Sequence, residues 1–384
     1  MSETVPLDLS VDRVRVFLDG EIVGSLTLSP AKTVAFSYES SWLSSGFSIS
    51  PLSLPLREGV FVAKRDPLHG LFGAFDDSMP DGWGRLLTDR LLRQRGIDPY
   101  SIGTLTRLSI VGSSGMGALE YEPAADIENG VAATDLDDIA RECANLLETD
   151  FSEDLDQLFA LGGSSGGARP KILTEVDGEE WIIKFPSSVD SANIGEQEYQ
   201  ISVLARECGI DMPETRLFAS AQCSGYFGVR RFDRTRDDDG TEHKVHMISA
   251  GGLLETSHRI PNLDYGLLMR LTMRVCNSAE ECERLYRLMC FNVFIGNRDD
   301  HAKNFSYLYD RSRQAWRLSP GYDLTENPGI NGEHTTSVNG KGKNITVADL
   351  ASVGVKAGIS RARCIAIANE MQGRIRDAGF AVRD

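Results

Sequence analysis

Apolar and polar residues alternate near the start of the chain, which predicts β-structure there. Residues 13–29 alternate on both sides of Asp19-Gly20, a dipeptide that favours a tight hairpin turn. Leucines then recur at helical spacing in residues 81–95, and residues 135–148 show the same helical pattern. The first third of the chain is therefore predicted to be an α+β unit, and it contains no evident cluster of catalytic residues.

The pattern changes at residue 160. Residues 160–171 contain four glycines and two serines, and residues 171–185 are typical of two strands around Asp177-Gly178. Further along, residues 279–295 are charged at the start and almost wholly apolar at the end. This composition is typical of a helix that enters a hydrophobic core, so helices are expected to dominate the last third of the chain.

Acidic and amide side chains follow that apolar helix. Phosphoryl transfer needs a carboxylate that orients the attacking hydroxyl, and an amide oxygen and a second carboxylate that hold Mg²⁺ on the phosphates. Asn304 follows Asp299 by five positions, which is the spacing of a protein-kinase catalytic loop, and Asp323 stands where a metal-binding aspartate is expected. We predict Asp299 as the catalytic base, and Asn304 and Asp323 as Mg²⁺ ligands beside ATP.

Three neighbouring residues leave alternatives open. Asp300 competes with Asp299 for the role of base, and only geometry separates them. His301 and Lys303 are both candidates for binding the phosphates of ATP. A histidine inside such a loop is equally consistent with a hydrogen-bonded structural strut.

The glycine-rich segment is a second candidate for ATP binding, because glycines let backbone amides approach phosphate oxygens closely. The candidate residues are Gly163, Ser164, Ser165, Gly166, Gly167 and Ala168. The segment matches neither GxxxxGK[ST] nor GxGxxG, so a flexible connection is an equally good interpretation of this segment alone. Lys184 lies in an apolar strand, where a lysine needs an anionic partner such as ATP phosphate; Glu198 or Glu196 is a candidate to pair with it.

Composition narrows the classes of function. Fifty-six acidic against 40 basic residues give a net charge of −16, which disfavours direct binding to nucleic acid. The seven cysteines form no CxxC pair, as is typical of reduced thiols. No stretch approaches the roughly 18 to 20 apolar residues of a membrane helix, and the N-terminus lacks the pattern of a signal peptide. A cytoplasmic protein with no membrane association is expected.

Taken together, these motifs resemble the HipA family of bacterial serine/threonine kinases, the toxins of two-gene toxin–antitoxin modules. The resemblance covers nearly the whole chain. It is carried by GNRDDHAKNFS (296–306), LSPGYDLT (318–325), GGSSGGARPK (162–171), IIKFP (182–186), VRRFDR (229–234) and FDDSMPDGWGRLL (75–87).

The resemblance implies an α+β, bilobal protein-kinase-like fold that uses ATP and Mg²⁺. The expected division is an N-terminal β-rich subdomain in residues 1–150, a nucleotide-binding lobe in residues 151–235 and a mainly helical lobe in residues 236–384. It also implies a protein substrate and a small helix-turn-helix antitoxin similar to HipB. DNA would then be contacted mainly through that antitoxin, in keeping with the acidic charge.

The resemblance further assigns roles to individual residues. Asp299 would be the base, Asn304 and Asp323 the metal ligands, and Lys184 the lysine that contacts phosphate. Ser164 would be the site of autophosphorylation, with Ser165 as the alternative. The strand before Phe232 would meet adenine through its backbone, which makes Arg231, Phe232 and Asp233 candidate ATP-binding residues. Arg230 departs from the pattern, because family members often carry a glutamate there.

Two alternative functions share this pattern. A kinase that acts on small molecules would use the same base and metal ligands. A catalytically silent kinase fold, acting as a nucleotide-binding corepressor, would bind ATP without turnover, although the presence of all three of Asp299, Asn304 and Asp323 argues against it.

Overall fold

The computed structural model describes residues 10–124, 135–149, 152, 155–237, 239–257 and 259–383. These residues form two compact units. The first unit comprises the described residues of Met1–Glu196 and Arg216–Met247, and the second those of Gln197–Thr215 and Ile248–Asp384. The three-part division at residues 150 and 235 stays a prediction, because residues 150 and 151 lie outside the described ranges. Within those ranges, no helix combines the length and apolar character needed to cross a membrane.

The first sheet of the first unit contains five strands. They are β1 (Arg13–Leu18), β2 (Glu21–Leu28), β3 (Val34–Tyr38), β4 (Phe61–Val62) and β5 (Glu120–Glu122), arranged in the order β4-β3-β2-β1-β5. Asp19 and Gly20 both have positive φ angles, of 50° and 75°, as the tight turn between β1 and β2 requires. The predicted N-terminal hairpin is therefore confirmed.

A second sheet of the chain contains four strands. They are β6 (Lys171–Val176), β7 (Glu179–Lys184), β8 (Thr215–Phe218) and β9 (Tyr226–Arg230), arranged in the order β6-β7-β9-β8. Asp177 and Gly178 form the turn of the predicted β6–β7 hairpin, with φ angles of 55° and 80°. Along β7 the side chains of Trp181 and Ile183 are buried, while the one between them is half-buried. The short strands β10 (Arg234–Arg236) and β11 (Glu242–Lys244) form a separate pair.

Six helices belong to the first unit: α1 (Ser40–Ser45), α2 (Gly73–Asp76), α3 (Gly82–Gln94), α4 (Thr104–Val111), α5 (Leu136–Thr149) and α6 (Leu155–Gly162). Helices α3 and α5 lie where leucine spacing predicts them. Helices α3, α5 and α6 share one hydrophobic core with β6, β7 and β9; Trp83, Trp181 and Tyr226 are each at most 1% exposed within it. The glycine-rich segment leaves this core at the end of α6. Helix α7 (Ile194–Glu207) begins in the first unit and ends in the second.

The second unit is mainly helical, as predicted. Its helices are α8 (Ala250–Leu254), α9 (Tyr265–Cys276), α10 (Ala279–Ile295), α11 (Val347–Lys356) and α12 (Arg361–Asp377). Its short strands are β12 (Met247–Ser249), which starts at the last residue of the first unit, β13 (Leu263–Asp264), β14 (Ser306–Asp310), β15 (Ala315–Leu318) and β16 (Thr336–Ser337). The Ser278 hydroxyl caps the start of α10, and Gly296 ends this helix in a left-handed conformation. The candidate catalytic loop begins there.

Candidate active site

The loop after α10 presents two adjacent aspartates in opposite ways. Asp299 is exposed, whereas Asp300 is completely buried. The carboxyl group of Asp300 accepts hydrogen bonds from the Tyr265 hydroxyl at 2.9 Å and the Thr336 backbone amide at 3.1 Å, and lies 3.0 Å from His334 Nδ1. A group enclosed in this way cannot reach the hydroxyl of a separate substrate, so the geometry favours Asp299 as the base.

Asn304 ends a short 3₁₀ helix, Ala302–Asn304, that follows the two aspartates. Its side-chain nitrogen donates to the backbone carbonyl of Asp299 at 2.8 Å, and its backbone amide donates to the carbonyl of His301. Since the side-chain nitrogen is used in this bond, the amide oxygen is the group that a cation would meet. The bond also ties the candidate metal ligand to the residue that carries the candidate base.

Asp323 is exposed and has a φ angle of +55°, which non-glycine residues adopt at a cost of about 1–3 kcal/mol. The preceding Tyr322 hydroxyl donates to the carbonyl of Lys303 and lies 2.6 Å from the Ser306 hydroxyl. The segment that carries Asp323 is therefore held against the segment that carries Asn304. A strained backbone beside a tethered loop is an observation that points towards a functional role.

His301 has the structural contact that one interpretation of the sequence expected. Its Nδ1 atom accepts a hydrogen bond from the backbone amide of Lys303 at 3.2 Å, at the start of the 3₁₀ helix. The carbonyl of Lys303 is engaged by Tyr322. His301 thus serves as a strut for the loop, and contacts of His301 and Lys303 with ATP stay predictions.

The donor atoms of Asn304 and Asp323 fit Mg²⁺, which prefers amide and carboxylate oxygens. Across the described ranges, no three side chains of His, Cys, Asp or Glu are clustered as a preformed metal site. Two protein oxygens completed by phosphate and water are the arrangement that Mg²⁺ commonly adopts in enzymes that use ATP. The residues present therefore suit a metal that arrives with its nucleotide.

The two serines of the glycine-rich segment differ in accessibility. Ser165 is 2% exposed, and its hydroxyl donates to the carbonyl of Gly162 at 2.6 Å. Ser164 is half-buried, and its hydroxyl donates to the carbonyl of Ser114 at 2.8 Å. Of the two, Ser164 is the more accessible to a phosphate donor.

Several backbone amides of this segment are already hydrogen-bonded within the first unit. The amide of Gly163 donates to the carbonyl of Phe159, that of Ser165 to the carbonyl of Gly162, and that of Gly167 to the carboxyl group of Asp81. Gly166 and Ala168 are exposed. A phosphate that binds the Gly167 amide must therefore displace the carboxyl group of Asp81.

The start of α3 forms the surface on which this segment rests. The backbone amide of Trp83 donates to the carbonyl of Gly167 at 2.8 Å, and its indole nitrogen donates to that of Lys171 at 3.1 Å. A Cβ atom on Gly84 would lie only 2.2 Å from the carbonyl oxygen of Ser165. We did not predict this contact from the sequence, although a glycine inside a helical pattern often has a packing reason.

Replacing Gly84 by alanine is expected to destabilise the first unit by about 1–3 kcal/mol, because backbone atoms of the glycine-rich segment would have to move. Urea unfolding of the whole chain measures this effect. Gly373→Ala in α12 is the matched control, since nothing lies within 4 Å of its added Cβ atom. That control is expected to be neutral or to stabilise by up to about 1 kcal/mol. Equal destabilisation by both changes would contradict the close approach.

Lys184 ends β7 and is half-buried, with its ammonium nitrogen 5.5 Å from the centre of the Phe227 ring. Glu198 is 3% exposed, whereas Glu196 is half-buried, so neither is a fully solvated surface glutamate. Pairing of Lys184 with either glutamate, and its contact with phosphate, stay predictions.

Arg231 and Asp233 are engaged in a buried ion-pair network. Arg231 contacts Asp233 at 2.7 Å and Glu180 at 2.9 Å. Burial would raise the pKa of Asp233, but the guanidinium groups of Arg231 and Arg234 and the Gly117 amide outweigh it and lower this pKa to about 2. Any nucleotide contact at these two positions must come from the backbone, because both side chains are buried. The half-buried Phe232 lies between them.

Arg230, where the resemblance implies a glutamate, is the last residue of β9 and is exposed. Its guanidinium group lies 3.5 Å from the carboxylate of Glu179. This surface ion pair contributes little to stability, and it places opposite charges on neighbouring strands.

Sequence similarity to known proteins extends over residues of both units. The HipA-like C-terminal domain model matches residues 163–378, more than half of the chain, and the HipA N-terminal domain model matches residues 14–122. Two proteins of Sinorhizobium fredii, Y4dM and Y4mE, carry provisional kinase names and are each 28% identical to the chain. The alignment with Y4dM covers 94% of this chain and 90% of the relative; that with Y4mE covers 90% and 84%.

Among solved structures, HipA of Shewanella oneidensis, in a complex with HipB and operator DNA, superposes with a TM-score of 0.70. The match covers 95% of this chain and 89% of that chain at 18% sequence identity, and it shows a shared fold. The α+β, HipA-like fold expected from the resemblance is thereby confirmed. With family models matched in both parts of the sequence, the chain belongs to the HipA family.

Proposed function

We propose that the protein transfers the γ-phosphoryl group of ATP to the hydroxyl group of a serine or threonine in a protein substrate. The observation that carries this proposal is the exposed carboxyl group of Asp299. The side chain of Asn304, on the same loop, donates to the backbone carbonyl of Asp299, and the hydroxyl of Tyr322, which precedes Asp323, donates to the backbone carbonyl of Lys303. These are the base and metal-binding groups that phosphoryl transfer requires.

In the proposed reaction Asp299 accepts the proton of the substrate hydroxyl as its oxygen bonds to the γ-phosphorus. The bond from that phosphorus to the bridging oxygen breaks, and ADP leaves with the electron pair. Mg²⁺ would neutralise the charge that develops on the phosphates. Asn304 and Asp323 would hold the ion through one amide and one carboxylate oxygen, and Lys184 and the glycine-rich segment would bind the phosphates.

Family membership and the likeness to HipA support a role as the toxin of a toxin–antitoxin pair. The partner would be a small helix-turn-helix protein similar to HipB, and DNA would be bound through that partner. The net charge of −16 supports DNA binding through the partner and not through this chain, because an acidic chain is repelled by the phosphate backbone.

The proposed activity is tested by incubating the purified protein with γ-labelled ATP and Mg²⁺, alone and with a bacterial extract. Label on serine or threonine of any protein, including the enzyme, is the expected result. Label found only on small molecules would instead establish the small-molecule kinase. ATP binding without any transfer would establish the silent nucleotide-binding module.

Autophosphorylation is expected at Ser164, because Ser165 is almost fully buried. The added phosphate carries a charge of about −1.5 to −2 and would occupy the region assigned to the phosphates of ATP. It cannot keep the hydroxyl's hydrogen bond to the Ser114 carbonyl, so the segment should leave its present position. The phosphorylated protein is therefore expected to bind ATP at least about tenfold more weakly.

Mass spectrometry locates the phosphate, and titration with ATP before and after phosphorylation measures the affinity. Ser165→Ala is the matched control, and it should retain phosphorylation, whereas Ser164→Ala should lose it. Phosphate found only at other positions, or undiminished ATP affinity of the Ser164-phosphorylated form, would refute this site.

A further inference from the structure

The carboxyl group of Asp300 is enclosed by residues that lie before it and after it in the sequence. Tyr265, the first residue of α9, donates its hydroxyl proton to one carboxyl oxygen of Asp300. The same oxygen lies 3.0 Å from Nδ1 of His334, and the other accepts from the backbone amide of Thr336. Burial is the main cause, and the nearby Asp300 the second cause, of a pKa of Tyr265 that is raised well above its ordinary value of 10. This tyrosine therefore stays protonated and can donate its hydrogen bond to Asp300.

The two residues that follow His334 also bind the backbone of the loop. The Thr336 hydroxyl donates to the carbonyl of Asp300, and the amide and hydroxyl of Thr335 each donate to the carbonyl of Arg298 at 3.0 Å. The carbonyls on both sides of Asp299 are thus restrained by one two-residue segment. The peptide backbone that carries Asp299 has little freedom to rotate while these bonds persist.

A second chain of polar contacts extends from the same site into the core. The Asn292 side chain donates to the Tyr265 hydroxyl at 3.0 Å and accepts from the side chain of Asn297 at 3.0 Å. Asn292 and Asn297 are each 2% exposed. A connected set of buried hydrogen bonds therefore joins the end of α10 to Asn297 at the start of the loop and, through Tyr265, to Asp300. Such networks favour one geometry over others.

We propose that Asp300 is a positioning residue for the transfer reaction, acting with Tyr265, His334 and Thr336 to hold Asp299 outward and to fix the carbonyl that orients Asn304. This inference rests on the proposed function. Asp300 itself does not touch the nucleotide or the substrate. It controls the reaction by setting the direction of the base and of the metal ligand that is hydrogen-bonded to the same loop.

The test compares Asp300→Asn and Thr336→Val with a matched control, Thr272→Val. Thr336 and Thr272 are both 0% exposed, but the Thr272 hydroxyl contacts Tyr307 and Leu268, not the loop. Label transfer from ATP is measured over a range of ATP concentrations. Asp300→Asn and Thr336→Val are expected to lower the maximal rate by about 10- to 100-fold and to change the ATP concentration at half-maximal rate less than about twofold. Thr272→Val should keep the maximal rate of the wild type.

Hydrogen–deuterium exchange supplies a readout that does not depend on activity. Peptides that cover residues 297–305 should exchange faster in Asp300→Asn and Thr336→Val, but not in Thr272→Val. Equal rates of transfer in Thr336→Val and the wild type, or an equal loss of rate in Thr272→Val, would overturn the inference. If the wild type transfers no phosphate, the proposed function fails. Unchanged hydrogen–deuterium exchange of residues 297–305 in both Asp300→Asn and Thr336→Val would, separately, show that Asp300 does not position the loop.

Discussion

Replacing Asp299 by alanine is expected to lower the rate of phosphoryl transfer by about 10³-fold, which corresponds to about 4 kcal/mol of transition-state stabilisation. The carboxyl group is exposed, so its loss should change the free energy of unfolding by less than about 0.5 kcal/mol. Affinity for Mg²⁺-ATP should change little, because the base faces the substrate hydroxyl. Single-turnover transfer of label and thermal unfolding measure the two effects.

Asp377→Ala is the control for this change, since Asp377 is also an exposed aspartate of the second unit and lies at the end of α12. It should retain full activity.

In cells, overproduction of the active protein is expected to slow bacterial growth, and Asp299→Ala should relieve this. Wild-type transfer rates in Asp299→Ala would remove the base from the proposal, and undiminished toxicity would separate growth arrest from phosphorylation.

Removing the charge of Asp323 is expected to abolish transfer and to weaken Mg²⁺-dependent ATP binding by at least about tenfold. Asp323→Asn is the informative variant, because asparagine tolerates the positive φ of this position, whereas alanine adds backbone strain. Calorimetric titration with ATP, with and without Mg²⁺, measures the change. The loss should appear only when Mg²⁺ is present.

The contrast between the two aspartates tests the assignment of their roles. Asp299→Ala should lose transfer and keep binding, whereas Asp323→Asn should lose both. An equal loss of ATP affinity in the two variants would show that base and metal ligand have been misassigned.

The elements that sequence analysis predicts well are those determined by neighbouring residues. The β6–β7 hairpin depends on Asp177-Gly178, whose two positive φ angles suit the turn, and helix α10 depends on its own apolar face and its Ser278 cap. The spacing of Asp299 and Asn304 is also local. A hydrogen bond joins the two, and their proposed roles follow from that spacing.

Features that depend on distant parts of the chain could not be predicted. The burial of Asp300 requires Tyr265, 35 residues earlier, and His334, 34 residues later. The orientation of Asp233 towards Arg231, away from solvent, depends on the Gly117 amide, 116 residues earlier in the chain. The periodicity of apolar residues predicts local helices and strands, and it does not reveal contacts between residues so far apart in the sequence. Contacts between residues that are distant in the sequence therefore determine which of several similar polar side chains is buried and which faces solvent.

The core shared by α3, α6 and the β6–β7–β9 sheet has a consequence for handling the protein. Trp83 lies within the match to the N-terminal family model, which ends at residue 122, yet it packs in one core with Trp181 and Tyr226 of the C-terminal match. Family boundaries and folding boundaries therefore do not coincide in this chain. A truncated chain that starts at the C-terminal match would leave that core open to water, so the two family regions should be produced together, on one polypeptide or as co-expressed fragments.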